Sequence, residues 1–297
     1  MAISSEARRQ LTPLEPALRQ LESAEALDPA AAAIGKAVRD TIGNGTLKSA
    51  LSGTWLGHAV HPMLTDVVIG SFTSASVLDV LGPDSDGASQ RLIGLGLLAY
   101  LPTAAAGIND WADTEVIDDG IRRVGLVHAG CNAVGASLYA LSWRARRRGA
   151  GRVGAAFGLA GMAVMVAGGY LGGHLSMTKG VGPAETVFDR GPTEWTPAAD
   201  ASLLRDDRPQ RVVVDDTPVL LLRKGEEIFA IHDRCSHRGC SLSEGSVEGD
   251  EIVCACHGSR FSLSSGALKH GPATASQPAF QVRTAEGRVE VRRLAPR

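Results

Sequence analysis

CSHRGC, residues 235–240, and CACHGSRF, residues 254–261, hold four of the chain's five cysteines and two of its eight histidines. Cys235 and His237 form C-x-H, and Cys254 and His257 form C-x-x-H, with sixteen residues between the halves. Two such boxes, so close together, read one common object. Around them lie the runs RVVVDD, PVLLLRKG, EIFAIHD, EIVCAC, RFSLSS, AFQVRT and RVEVRR. Their apolar alternation, β-branched residues and Gly/Asp-rich breaks predict a small antiparallel β domain over 197–297, with each box in a loop between strands.

Two thiolates and two imidazoles from paired loops suit a [2Fe–2S] cluster in which one iron takes both cysteines and the other both histidines. Neutral imidazoles in place of anionic thiolates raise the potential of such a centre. A Cys₂His₂ set also suits tetrahedral Zn²⁺.

The boxes resemble those of the Rieske iron–sulfur proteins, and GPA at 271–273 resembles that family's proline loop. The resemblance implies that Cys235, His237, Cys254 and His257 are the cluster ligands. It also implies a disulfide between Cys240 and Cys256, as in the cytochrome bc-type branch, a bond that persists in an oxidising compartment. Ser259 matches a serine whose hydroxyl donates to a bridging sulfide. Phe261 stands where the high-potential branch has tyrosine, which implies a lower potential than that branch's. Arg238 replaces the apolar docking residue of the respiratory branch, whereas many soluble Rieske ferredoxins carry a polar residue there. His232 and His270 are near the boxes in sequence only and read as solvent-exposed; Cys131 reads as a small packing residue.

Upstream the texture changes. Residues 63–82, 92–109, 124–143 and 153–173 are long and nearly uncharged, each close to the ~20 residues that cross a bilayer. Asp66 and Asp79 in the first leave a soluble buried helix open; the last carries no charge. Gly154/Gly158 and Gly168/Gly172 in the fourth stretch, and Gly125, Ala129, Ala133 and Ser137 in the third, follow the spacing that lets membrane helices approach closely. The segments GTWLGHAVHPMLTDVVIG and GIND, with His128 and GGYLGGHLSMTKGVG, resemble a bacterial membrane domain, number 2231 among the domains of unknown function. That resemblance brings almost no chemistry with it. The reading is thus a multi-domain chain: a helical tail (1–55), an all-α four-helix transmembrane bundle (56–178), a linker (179–196) and an all-β Rieske-type domain (197–297).

The net charge of −2 offers no basic stripe, which sets a nucleic-acid partner aside. Arg144, Arg146, Arg147, Arg148 and Arg152 crowd the connection between the third and fourth stretches. The positive-inside rule puts that loop in the cytoplasm and, with an even helix count, both termini outside the cell membrane. Six Lys/Arg in the first sixty residues, with no visible signal peptide, pull the other way. RARRRG resembles an internal twin-arginine export signal, although plain positive-inside charge explains the same residues.

His61, Asp66, Asn109, Asp110, His128, Tyr170 and His174 fall at the outer ends of the four stretches. Ionisable groups at membrane depth mark functional sites by default. Two of these histidines could hold a haem b iron, or the group could bind a quinone head and take its protons; interface residues satisfied by water would look the same. The function expected is membrane-anchored transfer of single electrons, from a membrane quinone or haem to redox partner proteins outside. The alternatives are a tethered ferredoxin feeding an oxygenase or reductase, and a redox sensor. No catalytic residue set is visible.

Overall fold

The computed structural model describes residues 13–82 and 86–294; the others, including Arg8 and Arg9 of the tail, lie outside the described residues. The chain divides into two compact units. One is Met1–Thr41 with Pro62–Val181, the other Ile42–His61 with Gly182–Arg297.

The first unit is helical. Its four long helices are α4 (Val60–Leu81), α5 (Asp86–Thr114), α6 (Asp119–Arg147) and α7 (Gly151–Gly173), which a π turn (His174–Thr178) extends. All four are long and apolar enough to cross a membrane. α5 and α6 run 29 residues each, beyond the apolar stretches read from sequence, because both continue through charged ends. Asp118 caps α6, its side chain accepting the Ile121 N–H at 2.8 Å.

Those charged ends receive the preceding helices α1 (Glu15–Glu22) and α2 (Asp28–Ile42). Arg123 grips Asp28 (2.6 Å), and Arg39 and Arg122 converge on the buried Glu115 carboxylate (2.6 and 2.9 Å). At the other end of the bundle Arg146 meets Asp79 at 2.6 Å, with side chains only 1% and 2% exposed. Asp79, one of the two acids that leave a soluble helix open, is therefore neutralised by an arginine of the loop run.

Small residues do bring α6 and α7 together, but not on both of the stripes read from sequence. A Cβ on Gly168 or Gly172 would come within 2.9 Å of Asn132 or His128, and one on Gly161 within 3.1 Å of the Gly135 carbonyl. On α6, however, Ala129, Ala133 and Ser137 are exposed. The face of α6 turned to α7 carries His128, Asn132, Gly135, Tyr139, Ser142 and Arg146. Alternating three- and four-residue steps, not a strict four, follow a straight α-helix.

The second unit contains two antiparallel sheets. Six strands, β1 (Thr196–Asp200), β2 (Gln210–Val214), β3 (Thr217–Lys224), β4 (Glu227–His232), β9 (Ala279–Ala285) and β10 (Arg288–Arg293), run in the order β1-β10-β9-β4-β3-β2. Four shorter strands, β5 (Ser246–Glu248), β6 (Glu251–Val253), β7 (Arg260–Ser262) and β8 (Leu268–His270), form β5-β6-β7-β8. Leu220, Leu222, Ile231, Ile252, Phe261 and Leu263 fill one core, together with Cys235 and Cys254. Val219, Leu221, Val289 and Val291 fill a second. β3 is buried on both faces, which is why PVLLLRKG is continuously apolar rather than alternating. The remaining helix, α3 (Thr46–Ser52), belongs to this unit although it precedes the membrane helices in sequence.

Candidate metal centre

The first box follows β4 and the second joins β6 to β7. They are one turn built twice. Cys235 N–H donates to the Cys240 carbonyl (2.8 Å) and Gly239 N–H to Cys235 (2.9 Å); Cys254 N–H donates to Ser259 (2.9 Å) and Gly258 N–H to Cys254 (3.0 Å). Gly239 and Gly258, each four residues after its cysteine, have φ of +75° and +76°. A Cβ is costly in that left-handed region, so both positions call for glycine.

The turns aim backbone donors at sulfur. The amides of His237 and Arg238 donate to the Cys235 thiol, and those of Cys256 and His257 to the Cys254 thiol. Cys235 and Cys254 are buried, unbridged and hydrogen-bonded to each other. That mutual bond brings Cys254 down to about 7 and pushes Cys235 well above the ordinary thiol range. Burial, followed by the charge of Arg238, pushes His237 well below the ordinary imidazole range. Its ring is neutral, the form that binds metal. The rings of His237 and His257 meet edge to face, with centroids 5.0 Å apart.

The donors thus come as a thiol pair in mutual contact and an imidazole pair in mutual contact. One tetrahedral ion draws all four to a point; two adjacent irons take each pair separately. The residues fit a [2Fe–2S] cluster. Cys240, Cys254 and Cys256 sulfurs lie within 4.8 Å of one another, but Cys240 and Cys256 are joined (S–S 2.07 Å) and only Cys254 of the three keeps a thiol to give.

Several supports carry no signature in the boxes themselves. Asp233 is buried and accepts from the Ser241 hydroxyl (2.7 Å) and from both the N–H and the hydroxyl of Ser243, which fixes the exit of the first box. Ser236 ties that box to the Ala275 carbonyl (2.7 Å). Ser259 Oγ accepts the Ala273 N–H at 3.0 Å, tying the second box to the proline loop.

The two nearby histidines are not solvent-exposed bystanders. His232 is fully buried; its Nδ1 accepts the Arg234 N–H (3.1 Å) and its Nε2 stands 3.1 Å from Asp189 Oδ2. It sits at the end of β4, where the core closes over it. His270 is half-buried, with Nδ1 2.8 Å from the Gly271 carbonyl.

The membrane candidates lie on α4, α5, α6, α7 and the π turn that extends it. Asp66 is exposed on α4, and His61 belongs to the β unit. Asp110 accepts from Asn109 (3.1 Å). His128 Nδ1 donates to the Gly168 carbonyl (2.8 Å) while Asn132 reaches its Nε2 (3.1 Å). His174 Nε2 stands 2.8 Å from Glu22. Among the described residues no three of these converge to metal-holding distance. His128 acts as polar glue between α6 and α7.

Comparison with known proteins agrees with both halves. Residues 194–283 match the Rieske [2Fe-2S] domain family, and residues 57–185 match a family described as a predicted membrane protein (DUF2231). The anthranilate 1,2-dioxygenase ferredoxin subunit of Burkholderia cepacia is 36% identical over 98 residues, 33% of this chain and 91% of that protein. Ferredoxin CarAc of Metapseudomonas resinovorans is 35% identical over 98 residues, 33% of this chain and 92% of that one. Among solved structures, the ferredoxin of carbazole 1,9a-dioxygenase from Nocardioides aromaticivorans IC177 is 26% identical, covers 34% of this chain and 98% of its own, and has a TM-score of 0.32. The duplicated turns, the paired thiols and imidazoles, and relatives aligned over nearly their full length give one answer: the chain belongs to the Rieske [2Fe–2S] family, joined to a four-helix membrane domain of the DUF2231 family.

Proposed function

We propose that the protein is a membrane-anchored carrier of single electrons, with Cys235 and Cys254 on one iron of the cluster and His237 and His257 on the other. The bound cluster supplies a one-electron couple. The residues of the chain hold it. Four backbone amides offset the charge of the two thiolates, burial keeps His237 neutral, and the Cys240–Cys256 bond keeps the boxes together. The observation that carries this reading is the pairing of two buried, mutually bonded thiols with two edge-to-face imidazoles. Its partners are redox proteins, as for the dioxygenase ferredoxins it resembles. The bundle acts as the anchor: the rings of His128 and His174, two of the residues that suggest a haem or quinone, are held by protein partners.

The cluster domain is assigned to the extracytoplasmic side. Exposed Arg144, Arg147 and Arg148 at the α6–α7 connection support it, as does the disulfide, which endures in an oxidising compartment. Electron paramagnetic resonance of the dithionite-reduced full chain tests the centre: a signal of low average g is expected, and a silent trace with stoichiometric zinc would overturn it. Protease added to intact spheroplasts should remove the β domain; full protection would reverse the sidedness.

A further inference from the structure

Residues 42–61 belong to the β unit and contain no Asp or Glu. Their one lysine, Lys48, is buried, as is Ser52. Charged residues make up 21% of the chain, so a water-facing segment of this length would ordinarily carry about four.

What the segment turns outward is apolar. Leu47 and Ala50 are exposed one turn apart on α3, away from the buried pair, and Trp55 and Leu56 follow at 70% and 41% exposure. A helix on a water-facing surface does the reverse. Asn44, Thr46 and His58, exposed beside them, bring no carboxylate or ammonium. The indole N–H of Trp55 donates to the Ala50 carbonyl at 3.2 Å. That bond is internal to the segment, so the ring can leave water without stranding its donor.

The inner side of the segment holds the loops of the metal centre. Asn44 would be 3.4 Å from a Cβ on Gly258 in the second box. Ser49 Oγ is 3.3 Å from a ring nitrogen of His270. Thr54 donates to the Ala273 carbonyl (3.0 Å), and its side chain occupies the place a Cβ on Gly271 would need. Whatever covers the outer side therefore lies beside the second box and the proline loop.

The chain itself points to the covering. Leu56 is four residues from Val60, where α4 starts, and four residues reach at most about 14 Å. The 22 residues of α4 run about 33 Å, enough to cross the hydrocarbon. Its first turn thus stands near the hydrocarbon edge, and Trp55 and Leu56 are within reach of the headgroup layer, where tryptophan concentrates. An exposed apolar patch marks a protein or membrane contact; one without charge, chained to a span, fits the membrane.

We propose that the β unit makes a membrane contact of its own: Leu47, Trp55 and Leu56 seat in the headgroup layer of a phospholipid bilayer, and the segment that carries them keeps the second box and the proline loop at the membrane surface. This rests on the membrane reading of the four long helices. Redox partners then meet the metal centre beside the bilayer, not in open solution.

The full chain would be reconstituted in phosphatidylcholine vesicles containing a phospholipid with a photoactivatable diazirine near the top of its acyl chain. After irradiation, mass spectrometry of the peptides should find label on 46–56 as well as on the spans, and none on Val213, an exposed apolar residue of β2 in the same unit. Leu47→Ser with Trp55→Ser should lose the label from 46–56 while the spans keep theirs. A parent segment free of label beside labelled spans, whether water, a second copy or a partner protein covers it, overturns the proposal. Equal label on Val213, or undiminished label in the double variant, overturns it as well. Spans free of label would instead sink the membrane reading itself.

Discussion

Ala273 and Ser259 are fully buried, and the Ala273 amide donates to Ser259 Oγ across 3.0 Å. With its oxygen occupied by that donor, the serine keeps its own hydroxyl proton to give. Ser259→Ala should therefore lower the midpoint potential by about 59 mV, a tenfold change for one electron. It also strands the Ala273 amide, at about 1–3 kcal/mol. Phe261→Tyr, which adds a hydroxyl on β7 at the end of the second box, should raise the potential. Redox titration of the two variants checks opposite signs in one experiment.

The disulfide spans a sequence separation of 16, for which loop closure contributes about 3 kcal/mol. Cys240→Ala with Cys256→Ala should release the cluster at lower temperature while leaving the membrane helices folded. Visible absorbance followed on heating, beside far-ultraviolet circular dichroism, separates the two events.

Breaking one side of the Arg146–Asp79 pair leaves a charge buried alone. Arg146→Met should destabilise the bundle by about 3–5 kcal/mol, and adding Asp79→Asn should recover part of that loss, because the two residues are coupled. Thermal unfolding in detergent measures both.

Burial pushes His232 below the ordinary imidazole range, against the pull of Asp189. Burial would raise Asp189, but the Thr217 hydroxyl and His232 hold it below the ordinary carboxylate range. Both groups bind protons more weakly folded than unfolded, so each contributes stability that is complete above its unfolded pKa and lost as pH falls through the folded one. The histidine's share is full above about pH 6.5 and the aspartate's above about pH 3.9. The β domain should thus weaken as pH falls below about 6.5, and His232→Gln should remove the upper part of that slope in melting curves.

Sequence made the strands, the paired boxes and the four long helices legible, because each depends on local periodicity or short spacing. C-x₃-G followed by Cys or Ser, repeated at 235–240 and 254–259, also encodes the duplicated turn. What stayed hidden was partnership over distance. Nothing near Asp79 announces Arg146, nothing near His128 announces the Gly168 carbonyl, and Asp233 looks like any loop acid until Ser241 and Ser243 fold onto it. The four-residue stripe on α6 ends up facing outward because such a step drifts around a helix of 3.6 residues per turn. His232 looked like a solvent-facing neighbour for a related reason: only the closed sheet buries it.

α3 belongs with Gly182–Arg297, yet the whole of Pro62–Val181 is synthesised between them. A ribosome delivers α3 long before the loops that Ser49 and Thr54 meet, so this unit is complete only after residues 62–181 have been made. Both ends of the insertion must also finish in the same compartment. Whatever machinery places the carboxy-terminal module has to place the residues before the first span with it, so a reporter fused at either end should mark the same face.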